Sequence, residues 1–171
     1  AVFSHMATMY ANSLYHRGYA KEGYKVINSL FKHCDNYSKS GIYPGIPEYF
    51  RSDGRGMYHY LTGAASWYLL TMITEVFGVR GVSGNLLVRP KLLAEQFDEN
   101  AMASVSVTFA GKQFLVNYSN PARKDYGFYH ISYADCDHTP LEITEDSNIV
   151  ISREFIEKLS SDVHEITVML A

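Results

Sequence analysis

The sequence predicts an α+β chain arranged by segments, with helices in residues 1–80 and strands in residues 81–171. Two observations carry this reading. Apolar residues recur at helical spacing up to about Arg80, and thereafter alternate with polar ones at period two. Charge divides at the same place. Residues 1–80 hold 8 Lys/Arg against 5 Asp/Glu, while residues 81–171 hold 7 against 13. Three helices alone cannot close a core, so the first segment reads as the end of a larger helical domain.

The first helix carries Met6, Met9, Tyr10, Ser13 and Leu14 along one face and closes at Gly18. A second runs from about Ala20 to Cys34, with Val26, Ile27, Leu30 and Phe31 inward. The third runs from about Thr62 to Phe77 and stops at Gly78. Glu75 is its only charge, which predicts burial nearly all round. Between the last two lies "DNYSKSGIYPGIPEYFRSDGRGMYHY", without strong periodicity. A loop this long and this rich in Tyr, Pro and Gly reads as an ordered, ligand-facing segment.

In the second segment Val105, Val107 and Phe109 alternate with Ser104, Ser106 and Thr108. "AGKQ" then turns the chain into a partner strand holding Phe114, Val116 and Tyr118. Further strands are expected at 86–89, 128–133, 149–151 and 165–170, with a short helical turn after Ser152. An antiparallel β-sandwich is the expected home for them.

Composition removes several function classes. No apolar run approaches the roughly 20 residues that span a bilayer. The charge balance of the helical segment is too weak for nucleic-acid binding, and no motif for it occurs. Cys34 and Cys136 stand far apart, which suits free thiols in a reducing cytoplasm better than a disulfide framework. His16, His33, His59, His130, His138 and His164 show no metal-ligand spacing and read as surface or packing residues, so no metal is expected.

The candidate site residues lie at the junction "YHYLTGAASW" and in the loop before it. Thr62 suits an N-cap. With Gly63 it also suits an anion site, because first-turn amides and the helix dipole face whatever sits there. His5, at a helix start, is either a structural residue or a donor to an anion. Glu48 in "GIPEYF" is flanked by aromatics. It reads either as an acid, base or sugar contact, or as the partner of Arg51 or Arg55. Arg55, between two glycines, either clamps an anion or braces the loop.

Taken together, "VFSHM", "GIYPGIPEYF", "GRGMYHYLTGAASWYLLT", "VFGVRG" and "VRPKLLAEQFDE" resemble the C-terminal part of glycoside hydrolase family 94. That family includes cellobiose, cellodextrin and chitobiose phosphorylases and the phosphorylase-like region of cyclic β-1,2-glucan synthases. The resemblance is firmest over residues 2–98. It implies that residues 1–80 are the last helices of an (α/α)6 barrel and residues 81–171 a C-terminal β-sandwich domain. It implies inverting phosphorolysis of a β-linked gluco-oligosaccharide, with inorganic phosphate as co-substrate and no other cofactor. His5, Thr62 and Gly63 would hold phosphate, while Tyr43, Glu48, Tyr49, Arg55 and Tyr58 would face the sugar. The family's general-acid aspartate lies upstream of the "FSH" motif, so no catalytic acid is assigned here, and the chain by itself is expected to be inactive. Homodimer formation is a further implication of the likeness. The competing expectations are an inverting hydrolase with Glu48 as base and a noncatalytic carbohydrate-binding or assembly module.

Overall fold

The computed structural model describes residues 1–42, 45–59, 63–160 and 162–171. Two compact units divide the chain, residues 1–75 and residues 76–171. The division falls five residues before the change of periodicity.

In the first unit, strand β1 (Val2–Phe3) leads directly into helix α1 (Ser4–His16), followed by α2 (Ala20–Asp35) and the single turn α3 (Tyr37–Ser40). Strands β2 (Tyr49–Phe50) and β3 (Gly56–Met57) precede α4 (Gly63–Thr71), which passes into a π-helical turn at Met72–Val76. The three strands form one antiparallel sheet in the order β1-β2-β3. Helix α1 packs against both α2 and α4.

The helical faces differ from the expected ones. Helix α1 buries Ser4, Thr8, Ala11 and Tyr15, spaced at i, i+4, i+7 and i+11, while Met6 and Tyr10 are exposed. Small side chains let the helices approach closely, and Tyr15 fills what remains. Helix α2 buries Ile27 and Leu30 but leaves Phe31 out. Helix α4 is not enclosed, since Leu69 and Leu70 are exposed. Glu75 is buried, and its carboxylate meets His16 Nδ1 at 3.2 Å.

The second unit begins with the hairpin β4 (Val79–Val82) and β5 (Asn85–Val88). A 3-10 turn at Ala94–Gln96 precedes β6 (Met102–Phe109) and β7 (Lys112–Ser119). Then come β8 (Ile131–Cys136), β9 (Thr139–Pro140), β10 (Ile149–Ile151), helix α5 (Arg153–Lys158) and β11 (Val163–Leu170). The expected helical turn after Ser152 is α5, and Ser152 Oγ caps it by accepting from the Phe155 amide at 3.2 Å. Its core joins Phe114, Val116 and Tyr118 of β7 to Ile166, Val168 and Leu170 of β11, all essentially inaccessible. Each such aliphatic or aromatic side chain contributes about 1.5–3 kcal/mol by leaving water.

The expected fold class is corrected here. The chain is a mixed α/β protein, and its described residues contain no (α/α)6 barrel. Only α1, α2 and α4 exceed two turns, and a small three-stranded sheet stands beside them. Nor is the β part an antiparallel sandwich. A five-stranded sheet runs in the order β6-β7-β11-β8-β9 and a separate three-stranded one in the order β10-β5-β4. Within the larger sheet β11 pairs parallel with β7, Ile166 opposite Val116, and antiparallel with β8, Val168 opposite Ala134. Alternation marks which side of a strand is buried, not which way its neighbour runs. No helix among the described residues is long and apolar enough to cross a membrane.

Candidate functional site

The site is assembled at the start of α1. The turn Arg51–Gly54 closes the hairpin of β2 and β3, with the Gly54 amide donating to Arg51 O at 3.0 Å and the Arg51 amide to Arg55 O at 2.9 Å. Pairing of β1 with β2 sets Phe3 opposite Tyr49. This register brings Glu48 beside the first turn of α1. The Glu48 carbonyl accepts from the Ser4 amide at 2.9 Å, satisfying one of the orphan donors of that turn. The Glu48 amide donates in turn to Met57 O and Tyr58 O at 3.1 and 2.8 Å. The Glu48 backbone is thus fixed on both sides.

From that anchor the Glu48 side chain bridges two helix starts. Oε1 lies 2.9 Å from His5 Nδ1, and Oε2 accepts from the Ala64 amide, in the first turn of α4, at 3.2 Å. A carboxylate at a helix N-terminus is favoured by the dipole and by the unpaired amides there. Gly63 closes the cluster. A Cβ on it would stand 2.6 Å from His5 Nδ1 and 2.9 Å from Nε2, so the imidazole lies directly over the glycine. Any side chain at 63 displaces His5.

His5, Glu48 and Gly63, drawn from three separate stretches of sequence, therefore come together. Glu48 pairs with His5 rather than with either nearby arginine, and Arg51 instead meets Asp53 at 3.0 Å. The aromatic residues form a strip alongside. Phe3 and Tyr49 have ring centroids 5.5 Å apart, and Tyr49 and Tyr58 5.6 Å apart. Tyr58 is exposed and adopts a positive φ of 54°, a conformation rare for a bulky residue and a mark of local strain. Arg55 lies over Gly41 at the end of α3, with its Nε 3.5 Å from where a Cβ would be. That position suits a loop brace. Tyr43 and Thr62 lie outside the described residues.

A neighbouring cavity of about 510 Å³ is apolar, walled by Val2, Ala7, Val26, Leu30 and Phe50, and neither His5 nor Glu48 lines it. The cluster is thus half open to solvent and separate from that cavity. Chemically it offers a histidine held by a carboxylate, backbone donors at a helix start and an aromatic strip. These are groups that bind an anion or orient hydroxyls.

The second unit holds a further histidine–carboxylate pair, made by His164, read from the sequence as a surface or packing residue, and Asp137. His164 is buried, its Nδ1 donates to Asp137 Oδ2 at 2.6 Å, and its Nε2 donates to Ser160 O at 3.2 Å. The signal for it is the parity of β11, where His164 shares a face with Ile166, Val168 and Leu170. The two cysteines are free and buried, and burial pushes both thiols up to about 11. No family model and no curated protein matches this chain, so the likeness to glycoside hydrolase family 94 rests on the quoted motifs.

Proposed function

We propose that this chain supplies the phosphate- and sugar-handling part of an inverting β-glycoside phosphorylase acting on a β-linked gluco-oligosaccharide. The observation that supports it is the meeting of His5, Glu48 and the first-turn amide of α4 around Gly63. Inorganic phosphate would lie on the amides at the start of α4, with the imidazole of His5 as a further donor. Thr62 joins them on the resemblance alone. Tyr49 and Tyr58 would carry the sugar. A phosphate oxygen forms the new bond to the anomeric carbon from the face opposite the glycosidic oxygen. That bond breaks, and the leaving oxygen takes a proton from a general acid not assigned to this chain. The products are an α-sugar 1-phosphate and a shortened saccharide. Positioning and electrostatics carry such a reaction, since phosphate itself is the nucleophile.

Hydrolysis with Glu48 as base is less well supported, because both carboxylate oxygens are engaged, one by His5 and one by Ala64. A cytoplasmic location belongs to the same reading and is supported by the two free thiols.

The test is a titration with inorganic phosphate followed by NMR at the His5 ring and the Gly63 and Ala64 amides. Saturable shifts that vanish in His5→Ala are expected. In parallel, the product of the complete gene is incubated with β-linked glucose disaccharides, with and without phosphate. Phosphate-dependent α-glucose 1-phosphate is the expected product. Free glucose released without phosphate makes the protein a hydrolase. Saccharide binding with neither product makes it a binding module.

A further inference from the structure

We propose that β6 is the meeting edge of a two-fold dimer, in which the β6 strands of two copies of this chain pair antiparallel and join their sheets into one. The inference does not rest on the phosphorylase reading, because β6 lies in residues 76–171 and the His5 cluster does not.

The first observation is an edge with free backbone groups. β6 ends the five-stranded sheet and pairs there with β7. The Met102 carbonyl accepts from the Asp98 amide at 2.9 Å, and the Met102 amide donates to Asp98 Oδ1 at 2.8 Å. Both groups therefore point away from β7. Antiparallel pairs alternate between hydrogen-bonded and non-hydrogen-bonded, so Ser104, Ser106 and Thr108 aim their amides and carbonyls the same way. The other end of the strand agrees. The two-residue loop Ala110-Gly111, with both residues at positive φ, closes on Phe109 and Lys112. Among the described residues no further strand or loop pairs with the outward groups of Ser104, Ser106 and Thr108, and all three residues are exposed.

A long edge of this kind is normally blunted by charge, proline, a bulge or shortness. The opposite edge of the same sheet is blunted, since β9 is two residues long and contains Pro140. β6 has eight residues, reads MASVSVTF without a charge or a proline, and keeps an unbroken register with β7. Asp98 closes only its first residue.

The sequence of β6 suits its own copy. A two-fold axis at Ser106 sets Ser106 against Ser106 and Ser104 against Thr108, so these pairs exchange about six backbone hydrogen bonds. Between them Val105 falls opposite Val107 in a non-hydrogen-bonded pair, the kind whose side chains approach most closely. Both valines are only half-buried within one chain, and this pairing supplies the cover they lack. Charge favours the same occupant. Residues 81–171 hold 7 Lys/Arg against 13 Asp/Glu, an excess that sets two copies against each other over most of their surface. β6 and β7 escape it, because their one charge is Lys112, opposite Phe109 at the end of the ladder. Its ammonium is turned to the Leu159 and Ser160 carbonyls, each at 2.6 Å.

The test is hydrogen exchange on the whole chain over a range of concentrations, beside sedimentation. As concentration rises, dimers should appear and the Ser104, Ser106 and Thr108 amides should become protected about tenfold or more. The Ala103, Val105 and Val107 amides, already bonded to β7, should change little. Ser106→Pro removes the central amide from both copies where an edge strand tolerates proline, and should weaken self-association about tenfold or more. Ser106→Lys sets two cations across the axis and should weaken it about fivefold. Ser106 is exposed, so both variants should stay folded, which a thermal melt checks. Gln113→Lys, with the same charge one strand inward, should leave the dimer intact. A chain that stays monomeric at every concentration overturns the proposal. So does a dimer that survives both Ser106 substitutions, or protection of the three amides that does not vary with concentration. Phosphate binding is read at His5 and Gly63, so either proposal can fail while the other stands.

Discussion

A histidine–carboxylate pair in each unit, His5–Glu48 in the first and His164–Asp137 in the second, can be measured against the other. His5 and Glu48 meet at 2.9 Å with 34% and 25% of their side chains exposed. His164 and Asp137 meet at 2.6 Å, with the histidine 6% exposed. The closed pair is saturated: His164 spends its second nitrogen on the Ser160 carbonyl, and Asp137 Oδ1 accepts from the Glu165 amide at 2.9 Å. Since carboxylate and carbonyl both accept, both contacts are made at once only by the doubly protonated ring. The open pair is different. Among the described residues His5 Nε2 makes no hydrogen bond, and Glu48 completes its shell with a helix-start amide that an incoming anion would also use. Saturation suits holding the fold, and incomplete saturation suits exchange with a ligand.

Two glycines sharpen the contrast most. Gly78 has a φ of +70°, and a Cβ on it would collide with the carbonyl of Arg89, which is backbone and cannot move aside. Gly78→Ala should cost about 3 kcal/mol or more, combining left-handed strain with overpacking. A denaturant melt reads this directly. At Gly63 the obstacle is the end of a side chain that can rotate away. Gly63→Ala should therefore change stability by under about 1 kcal/mol, since alanine also favours the helix. It should nevertheless displace His5 from Glu48, visible in the His5 ring resonances. Equal losses of stability at the two positions would show that His5 cannot rotate away from a side chain at 63.

The closed pair comes next in size. The hydrogen bond to Asp137 is the main reason that the His164 pKa lies above the usual 6.5, outweighing burial and the nearby Lys112 cation. For Asp137, burial pushes the carboxyl up. The Glu165 amide and His164 outweigh burial together and leave it below 3.8, with His138 helping. The stabilisation is thus complete between about pH 3.8 and 6.5. It fades as pH rises through the raised His164 value and as pH falls through the lowered Asp137 value. His164→Ala should cost about 2 kcal/mol at pH 6, as expected for charge-assisted hydrogen bonds, and less once the pH has risen through the raised His164 value. Melting temperatures from pH 5 to 9 test it, and a loss that does not vary with pH would argue for packing alone.

What the sequence displays and what it hides follow from the range of each interaction. Local periodicity marks α2, β6, β7, β10 and the Ser152-capped α5 closely. The orientation of β11 against β7 is hidden, because a parallel pairing across more than forty residues leaves no local trace. On α1 the larger apolar side chains point to the wrong face, while the buried stripe is Ser, Thr, Ala and Tyr. Asp53-Gly54 is a legible turn signal, but the two-residue strands beside it are too short to alternate. At the site the residue types are visible one by one. Their union is not, since it depends on β1 pairing with β2 across the long loop.

Glu48→Gln gives the smallest change in stability and the most pointed one in function. The pair is partly exposed, so its loss should cost no more than about 1 kcal/mol. Glutamine keeps an oxygen for the Ala64 amide but removes the negative charge that a bound phosphate would meet. At about 4 Å in water-like surroundings that repulsion is about 1 kcal/mol, so phosphate should bind about fivefold more tightly. His5→Ala should act in the opposite direction and weaken it. If Glu48→Gln instead weakens phosphate binding to the same extent as His5→Ala, the carboxylate serves mainly to orient the imidazole. The open pair would then be bound up in its internal contact no less than the closed one, and exchange with an anion would no longer explain its exposure.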